Sequence, residues 1–405
     1  MTDFIFVESN TTGTGEIFVR RTLDMGYRPV LLTRDPARYQ FLATPAGQSV
    51  TVEVVQTRDR EELIRAVGAR SVPPAGIFTS SDTFYGSAAW LAHQLGLPGA
   101  DYRAIDFCRC KVNQRTALGE LRPHLNPSWR APSLESAAEE ATSIGYPLIV
   151  KPCDGTGSLL VRKCWDEGEV AVHIERISRD WHGTCGHILL EEFIAGPEFS
   201  VEIFNGRLIG VTEKTLGPEP NFVEMGHLYP AQGPVADIIG RSATQVARDL
   251  RLSWGPVHIE MRASSAGPRI IEINPRLGGD FIPELIRLAD GEDVIASCIR
   301  LAAGDTVNFD VPSGRFAAVH FLQQVTDGIA TVTGISSALE MPFVREARLY
   351  HRDTYHRVAE DFTDRVGHII LAAPSQVELI AALSAASAAV TVSSQAVESR
   401  ARSFT

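Results

Sequence analysis

Two short segments near the middle of the chain constrain the fold most. PVHIEMRA (Pro256–Ala263) and RIIEINPR (Arg269–Arg276) alternate polar and apolar residues with a period of two and are separated only by Ser264–Pro268. Such alternation marks β-strands whose successive side chains face opposite ways. His258, Glu260 and Arg262 therefore share one face, and Glu272, Asn274 and Arg276 share one face of the next strand. If the strands pair through the short loop, two carboxylates, an amide and a guanidinium converge. Oxygen donors without Cys or His suit a hard cation such as Mg²⁺, which takes one or two carboxylates and fills its shell with water and substrate phosphates. A solvated sheet face laced with salt bridges accounts equally well for this pair taken alone.

The rest of the chain supplies context. At about 150 residues per domain, 405 residues suggest two to four domains or lobes. Lys and Arg number 38 against 49 Asp and Glu, a net charge of −11, so there is no electrostatic footprint for nucleic acid or an anionic membrane. No apolar run approaches a membrane span. The start, with Asp3 and Glu8 around Phe4–Val7, lacks the pattern of a signal peptide, and the expected location is cytoplasmic. The six scattered cysteines read as reduced thiols, with Cys153 a small buried filler. Over the first hundred residues strands near Phe4–Val7, Pro29–Thr33, Ser49–Val55 and Gly76–Ser80 alternate with helices, the pattern of an α/β unit with a parallel sheet. Gly13-Thr14-Gly15 follows the first strand, but Phe18 stands where a dinucleotide fingerprint needs its third glycine, so a tight turn is the better reading. Further on, Asn205-Gly206 between alternating strands is a strong hairpin signal. Lys151 precedes a glycine-bearing loop, Asp154–Ser158, whose backbone N–H groups can close on phosphates. The charge-rich segment with His351 and His356 reads as surface.

The order of these pieces carries a resemblance. Lys111 and Arg115 as K-x-x-x-R, then IVKPCDGTGS, LLEEFIAGPEFSVE, HIEMR and IIEINPRLGG, resemble the ATP-grasp superfamily over nearly the whole chain. The last hundred residues, with DRVGHII (Asp364–Ile370), resemble the superfamily's C-terminal domain, and FVEMGHLYPA (Phe222–Ala231) narrows the resemblance to amino-acid ligases of the bacterial dipeptide-forming kind, similar to the bacilysin-forming ligase.

The resemblance implies an α/β fold: an N-terminal parallel-sheet domain over 1–110, a split ATP-grasp core over 111–305 (a glycine-loop part at about 125–192 and a metal-site part at about 193–305), and a mixed C-terminal domain over 306–405. It implies ATP-dependent joining of a small carboxylate, such as an amino acid, to an amine through an acyl phosphate, with ATP and Mg²⁺ (or Mn²⁺) required. Lys111, Lys151, Gly155, Gly157 and Ser158 would meet the phosphates. Glu191, Glu192, Phe193 and Ile194 would form the adenine hinge and Glu198 would hold the ribose. Glu260, Glu272 and Asn274 would bind the metal. Arg276 would lie over the transferred phosphoryl group and His227 is a second catalytic candidate. Glu224, His227, Arg276, Gly278 and Gly279 would line the substrate pocket. Leu160 departs from the family, which places glycine there. Another ATP-grasp reaction, carboxylation or a purine-pathway ligation, and a non-catalytic ATP-binding regulator are the alternatives. The substrates and the oligomeric state, a homodimer among the options, stay open.

Overall fold

A computed structural model describes residues 1–405 except 12, 135, 182, 184–185, 311–312, 325, 351–354, 357–359, 361 and 396–405. The expectation that the His351 and His356 side chains are surface groups lies outside what is described. The first four strands, β1 (Asp3–Val7), β2 (Arg28–Thr33), β3 (Thr51–Val54) and β4 (Gly76–Phe78), form a parallel sheet in the order β3-β2-β1-β4. Its central strand is wholly buried, as its run of Phe4, Ile5, Phe6 and Val7 requires. In open α/β sheets ligands lie beyond the strand C-termini where the strand order reverses. Here that point falls between β1 and β4, and the loops after them reach the main cleft with Asn10, Ser80 and Asp82.

The next four strands, β5 (Trp129–Arg130), β6 (Leu148–Pro152), β7 (Arg162–Cys164) and β8 (Ile188–Glu192), form an antiparallel sheet in the order β5-β8-β6-β7. The loop between β6 and β7 holds the glycines. Gly157 has φ +64°, and a Cβ there would come within 2.6 Å of the Phe362 ring. Leu160 also adopts a left-handed backbone, with φ 57°. The Cβ strain is offset by burial of its side chain beside Leu148 and Ile174 and by His173 Nε2, 2.9 Å from its carbonyl oxygen. The residue that breaks the family's pattern thus keeps the conformation a glycine would supply.

Strands β9 (Glu198–Phe204), β10 (Arg207–Leu216), β11 (Glu224–Tyr229), β12 (Pro256–Ser264), β13 (Gly267–Asn274), β14 (Phe316–Leu322), β15 (Gly328–Thr333), β16 (Val344–Leu349), β17 (Tyr355–His356), β18 (Gly367–Ala373) and β19 (Thr391–Gln395) follow. Eight of them form one continuous sheet, β13-β12-β9-β10-β11-β14-β18-β16, and β17-β15-β19 form a small one. Asn205 and Gly206 both take positive φ, 49° and 72°, and close the β9–β10 hairpin as expected. The strands β12 and β13 do pair: Glu260 lies opposite Glu272 and His258 opposite Asn274. A bulge after Glu260 shifts the register, so Arg262 meets Arg269. The second strand ends at Asn274, two residues sooner than the alternation suggests, because Pro275 has no N–H to continue the ladder. The Arg276 N–H instead donates to the Asn274 carbonyl at 2.7 Å. One apolar core joins the N-terminal sheet to the long one, with Phe4, Phe6 and Phe18 in the same cluster as Phe204, Tyr229 and Ile370. Cys153 is disulfide-bonded, which corrects its reading as a reduced filler; Cys108, Cys164 and Cys298 are buried thiols outside any disulfide. Among the described residues no helix is long and apolar enough to cross a membrane.

Candidate functional site

A cleft of about 300 Å³ lies where the three larger sheets meet. Its walls include each of the candidate site residues except Asn274, so positions far apart in the chain do converge. The glycine-loop end is built on buried charge. Lys151, at the end of β6, reaches Glu191 Oε2 at 2.5 Å, and Arg115 Nε donates to Glu191 Oε1. Arg115 is fully buried and its Nη2 also donates to the Ile271 carbonyl at 2.5 Å. Burial alone would raise the Glu191 carboxyl, but Arg115 and Lys151 on its two oxygens hold it at about 2. One carboxylate shared by two cations leaves burial dominant at Lys151, whose pKa is lowered. Glu191 therefore braces the cleft from within, and its side chain is not free for a base or sugar.

The neighbouring residues expected to form the adenine hinge are also engaged. The Ile194 carbonyl accepts from Arg262 Nη1 at 2.8 Å, and the Phe193 ring stacks on Phe222 with Lys163 Nζ 3.8 Å from its centroid. Glu192 accepts the Ser128 N–H at 3.0 Å. Glu198 Oε2 accepts from Arg262 Nε at 2.8 Å and its Oε1 lies 2.9 Å from Lys214 Nζ. Lys111 Nζ donates to the Gly155 carbonyl at 2.5 Å and to Glu272 Oε1 at 2.9 Å, which ties the glycine loop to β13. Ser158 Oγ donates to the Phe222 carbonyl at 3.1 Å.

Glu260 and Glu272 face each other across β12 and β13. Glu260 Oε1 is 3.1 Å from Lys214 Nζ and 3.2 Å from His258 Nε2. Burial opposes charge on His258, but Glu202, 2.5 Å from its Nδ1, outweighs burial and raises it to about 9. That imidazolium and Lys214 in turn hold Glu260 well below the usual carboxylate range against its own burial. Among the described residues no cluster of three or more His, Cys, Asp or Glu could hold a metal. The Gly278 N–H is directed to Glu202 Oε2 at 3.3 Å, and a Cβ on Gly278 would lie 2.7 Å from Glu202 Oε1. Close packing against Glu202, rather than an open N–H, is what requires glycine there; Gly279 has open space around it.

The wall around Glu224 and His227 also holds residues the sequence did not reveal. Lys214 Nζ touches Glu198, Glu224 and Glu260 together, the last two at 3.2 and 3.1 Å. Arg365 Nη2 donates to Glu224 Oε2 at 3.0 Å and to Asp280 Oδ2 at 2.8 Å, while its guanidinium sits 3.8 Å above the Phe321 ring. Asp280 has φ 50°, and Arg365 holds its carboxyl far below the ordinary range despite burial. His227 is 3% exposed, lies 3.7 Å from Asp280 Oδ2, and among the described residues neither ring nitrogen has a hydrogen-bond partner. Arg276 does not pair with Glu260 or Glu284: its Nε donates to Asp82 from the N-terminal sheet, and Nη1 donates to the Leu277 carbonyl at 2.8 Å. Glu284 pairs with Arg287 instead. The one signal for Arg365 was its place in the DRVG motif; Lys214 and Asp82 gave none.

Comparison with known proteins agrees with this architecture. A family model for the ATP-grasp domain matches residues 144–284, and one for the L-amino acid ligase C-terminal domain 2 matches residues 320–394. Protein y4rH of Sinorhizobium fredii is 32% identical over 403 residues, covering 96% of this chain and 80% of that one. Human carnosine synthase 1 is 29% identical over 311 residues, 69% of this chain, but the match takes in only 37% of that longer protein. The crystal structure of an L-amino acid ligase from Bacillus licheniformis superimposes with a TM-score of 0.80 at 19% identity over 98% of this chain and 99% of that one. The fold is that of the ATP-grasp ligases, and the chain belongs to the ATP-grasp superfamily, with an L-amino acid ligase C-terminal domain after its ATP-grasp domain.

Proposed function

We propose that this protein joins a small carboxylic acid, an amino acid in the first instance, to an amine at the expense of ATP. The observation that carries the reading is the meeting, in one cleft, of Lys111, Lys151 and Arg276 with the facing Glu260 and Glu272 and with the Glu224–His227 wall. Phosphoryl transfer asks mainly for positioning and charge neutralisation, and these residues supply both. ATP is a substrate: a carboxylate oxygen bonds the γ-phosphorus as the bond to ADP breaks. The amine nitrogen then bonds the acyl carbon as phosphate leaves. Arg276 orients the phosphoryl oxygens through two parallel donors. Lys111 and Lys151 hold the phosphate chain, Glu198 the ribose, and Phe193 and Ile194 the adenine. Glu224, His227, Gly278 and Gly279 shape the acid pocket.

The donor set fits Mg²⁺. Glu260, Glu272 and Asn274 offer oxygen donors to a cation, and the two carboxylates pair with Lys214, His258 and Lys111. When bound, the ion neutralises phosphate charge, with water and phosphate oxygens completing its shell. Carboxylation and purine-pathway ligation are less favoured because the Glu224–His227 wall is shared with the dipeptide-forming resemblance. A pure nucleotide binder has no use for Arg276 opposite a paired carboxylate site.

Turnover is expected to release ADP and phosphate. A screen of amino acids, offered as acid and as amine with Mg²⁺ and ATP and read by both products, tests this; AMP and pyrophosphate would remove the acyl-phosphate route. Glu272→Gln keeps an acceptor for the buried Lys111 but removes a negative charge from the metal pair. It is expected to abolish turnover at limiting Mg²⁺, and a wild-type rate under those conditions would refute the assignment.

A further inference from the structure

We propose that Asp82 is the acid–base residue of the amine half-reaction: it binds the incoming primary ammonium group and takes its proton. This rests on the ligase reading above. An amine is protonated near neutral pH and must lose a proton before it can attack, so the cleft needs a free base, and a carboxylate, unlike a neutral imidazole such as that of His227, also supplies the negative charge that binds the ammonium group. Most of its carboxylates are committed. Glu191 is held by Arg115 and Lys151, Glu198 by Lys214 and Arg262, and Glu224 by Lys214 and Arg365. Glu260 and Glu272 form the proposed metal pair. A carboxylate clamped by two cations has little affinity left for an ammonium group or a proton.

Asp82 differs in three respects. Its side chain is 37% exposed on the cleft wall. It stands at the strand-order reversal between β1 and β4, where the Ser80 hydroxyl is fixed by the Asn10 N–H at 2.9 Å and faces Ser9 Oγ at 3.0 Å. Among the described residues its one ion partner is Arg276, the group assigned to the phosphoryl oxygens. Phosphate competes directly for a guanidinium. Engagement of Arg276 by the activated acid therefore loosens Asp82 at the stage when the amine is needed. The ammonium then gives one proton to Asp82. The free nitrogen bonds the acyl carbon, the carbon–oxygen bond to phosphate breaks with its electron pair on phosphate, and the second N–H proton leaves with the phosphate.

Hydroxylamine separates the two halves, because it is mostly uncharged at neutral pH and captures an activated acyl group without an ammonium site. Wild type and Asp82→Asn are given an acid found in the screen with Mg²⁺, ATP and either its amine partner or hydroxylamine. The ratio of amide to hydroxamate is expected to fall at least tenfold in Asp82→Asn and to recover largely in Asp82→Glu. An unchanged ratio, with both products lowered together, would mean that Asp82 only braces Arg276 and would overturn the proposal. If Asp82→Asn does not fold, Asp82→Ser, also uncharged, takes its place in the same assay. Wild type yielding neither amide nor hydroxamate with any acid defeats the ligase reading itself, whereas a productive wild type with an unchanged ratio defeats Asp82 alone.

Discussion

Arg276→Lys is expected to lose about 10²-fold or more in kcat, roughly 2.7–4 kcal/mol of transition-state stabilisation, while the KM for ATP changes little. The guanidinium is held by two contacts, one to Asp82 and one to the Leu277 carbonyl. Lysine offers a point charge and cannot reproduce the paired donors that phosphate oxygens take. Steady-state kinetics and a melting curve on the same variant separate three outcomes. A fall in kcat with an unchanged melting temperature marks a transition-state contact. An unchanged kcat with a raised KM for ATP marks a ground-state nucleotide contact. A melting temperature that falls in step with activity marks the Asp82 pair as structural.

Glu191→Gln is expected to be the most destabilising of the conservative changes in the cleft. It leaves Arg115 and Lys151 buried without a counter-charge, and breaking a buried pair by removing one partner costs about 3–5 kcal/mol. Urea unfolding at neutral pH measures it. The pH dependence gives an independent reading. The Glu191 carboxyl titrates at about 2 in the folded chain against an ordinary 4.5. A depressed folded value means that the unfolded chain binds the proton first. The stabilisation is therefore complete above about pH 4.5 and is lost as pH falls from there towards about 2. Glu191→Gln should show a shallower fall in stability across that window than wild type. A slope equal to that of wild type would mean that the carboxylate contributes nothing there.

Local patterns carried much of this in the sequence. The Asn205-Gly206 turn needs positive φ at both positions, and few residue pairs allow it, so the hairpin was legible. The β12–β13 pair was legible because a five-residue separation leaves little choice of partner. What escaped was set by distance along the chain. Arg276 meets Asp82, 194 positions away, and Arg365 meets Glu224, 141 positions away. Periodicity shows which way a side chain faces but not which residue of another sheet lies opposite. The bulge after Glu260 and the early end of β13 were hidden for a related reason, since each depends on backbone hydrogen bonds that the alternation of side chains does not encode. Cys153 looked like any small buried residue, and pairing between cysteines is not visible in their spacing.

The eight-stranded sheet has a consequence for how this enzyme can be taken apart. Strand β14, from the last hundred residues, lies against β11, which carries Glu224 and His227, and His227 is in register with Val319. Cutting the chain before β14 would strip one whole flank of β11 of its backbone partners. It would also remove Arg365 from Glu224 and Asp280. An unpaired strand of that kind invites pairing with other chains. This C-terminal quarter is therefore not a detachable appendage. Exchanging it between relatives would rebuild the wall of the proposed acid pocket, so a graft of this segment is expected to alter selectivity and solubility together.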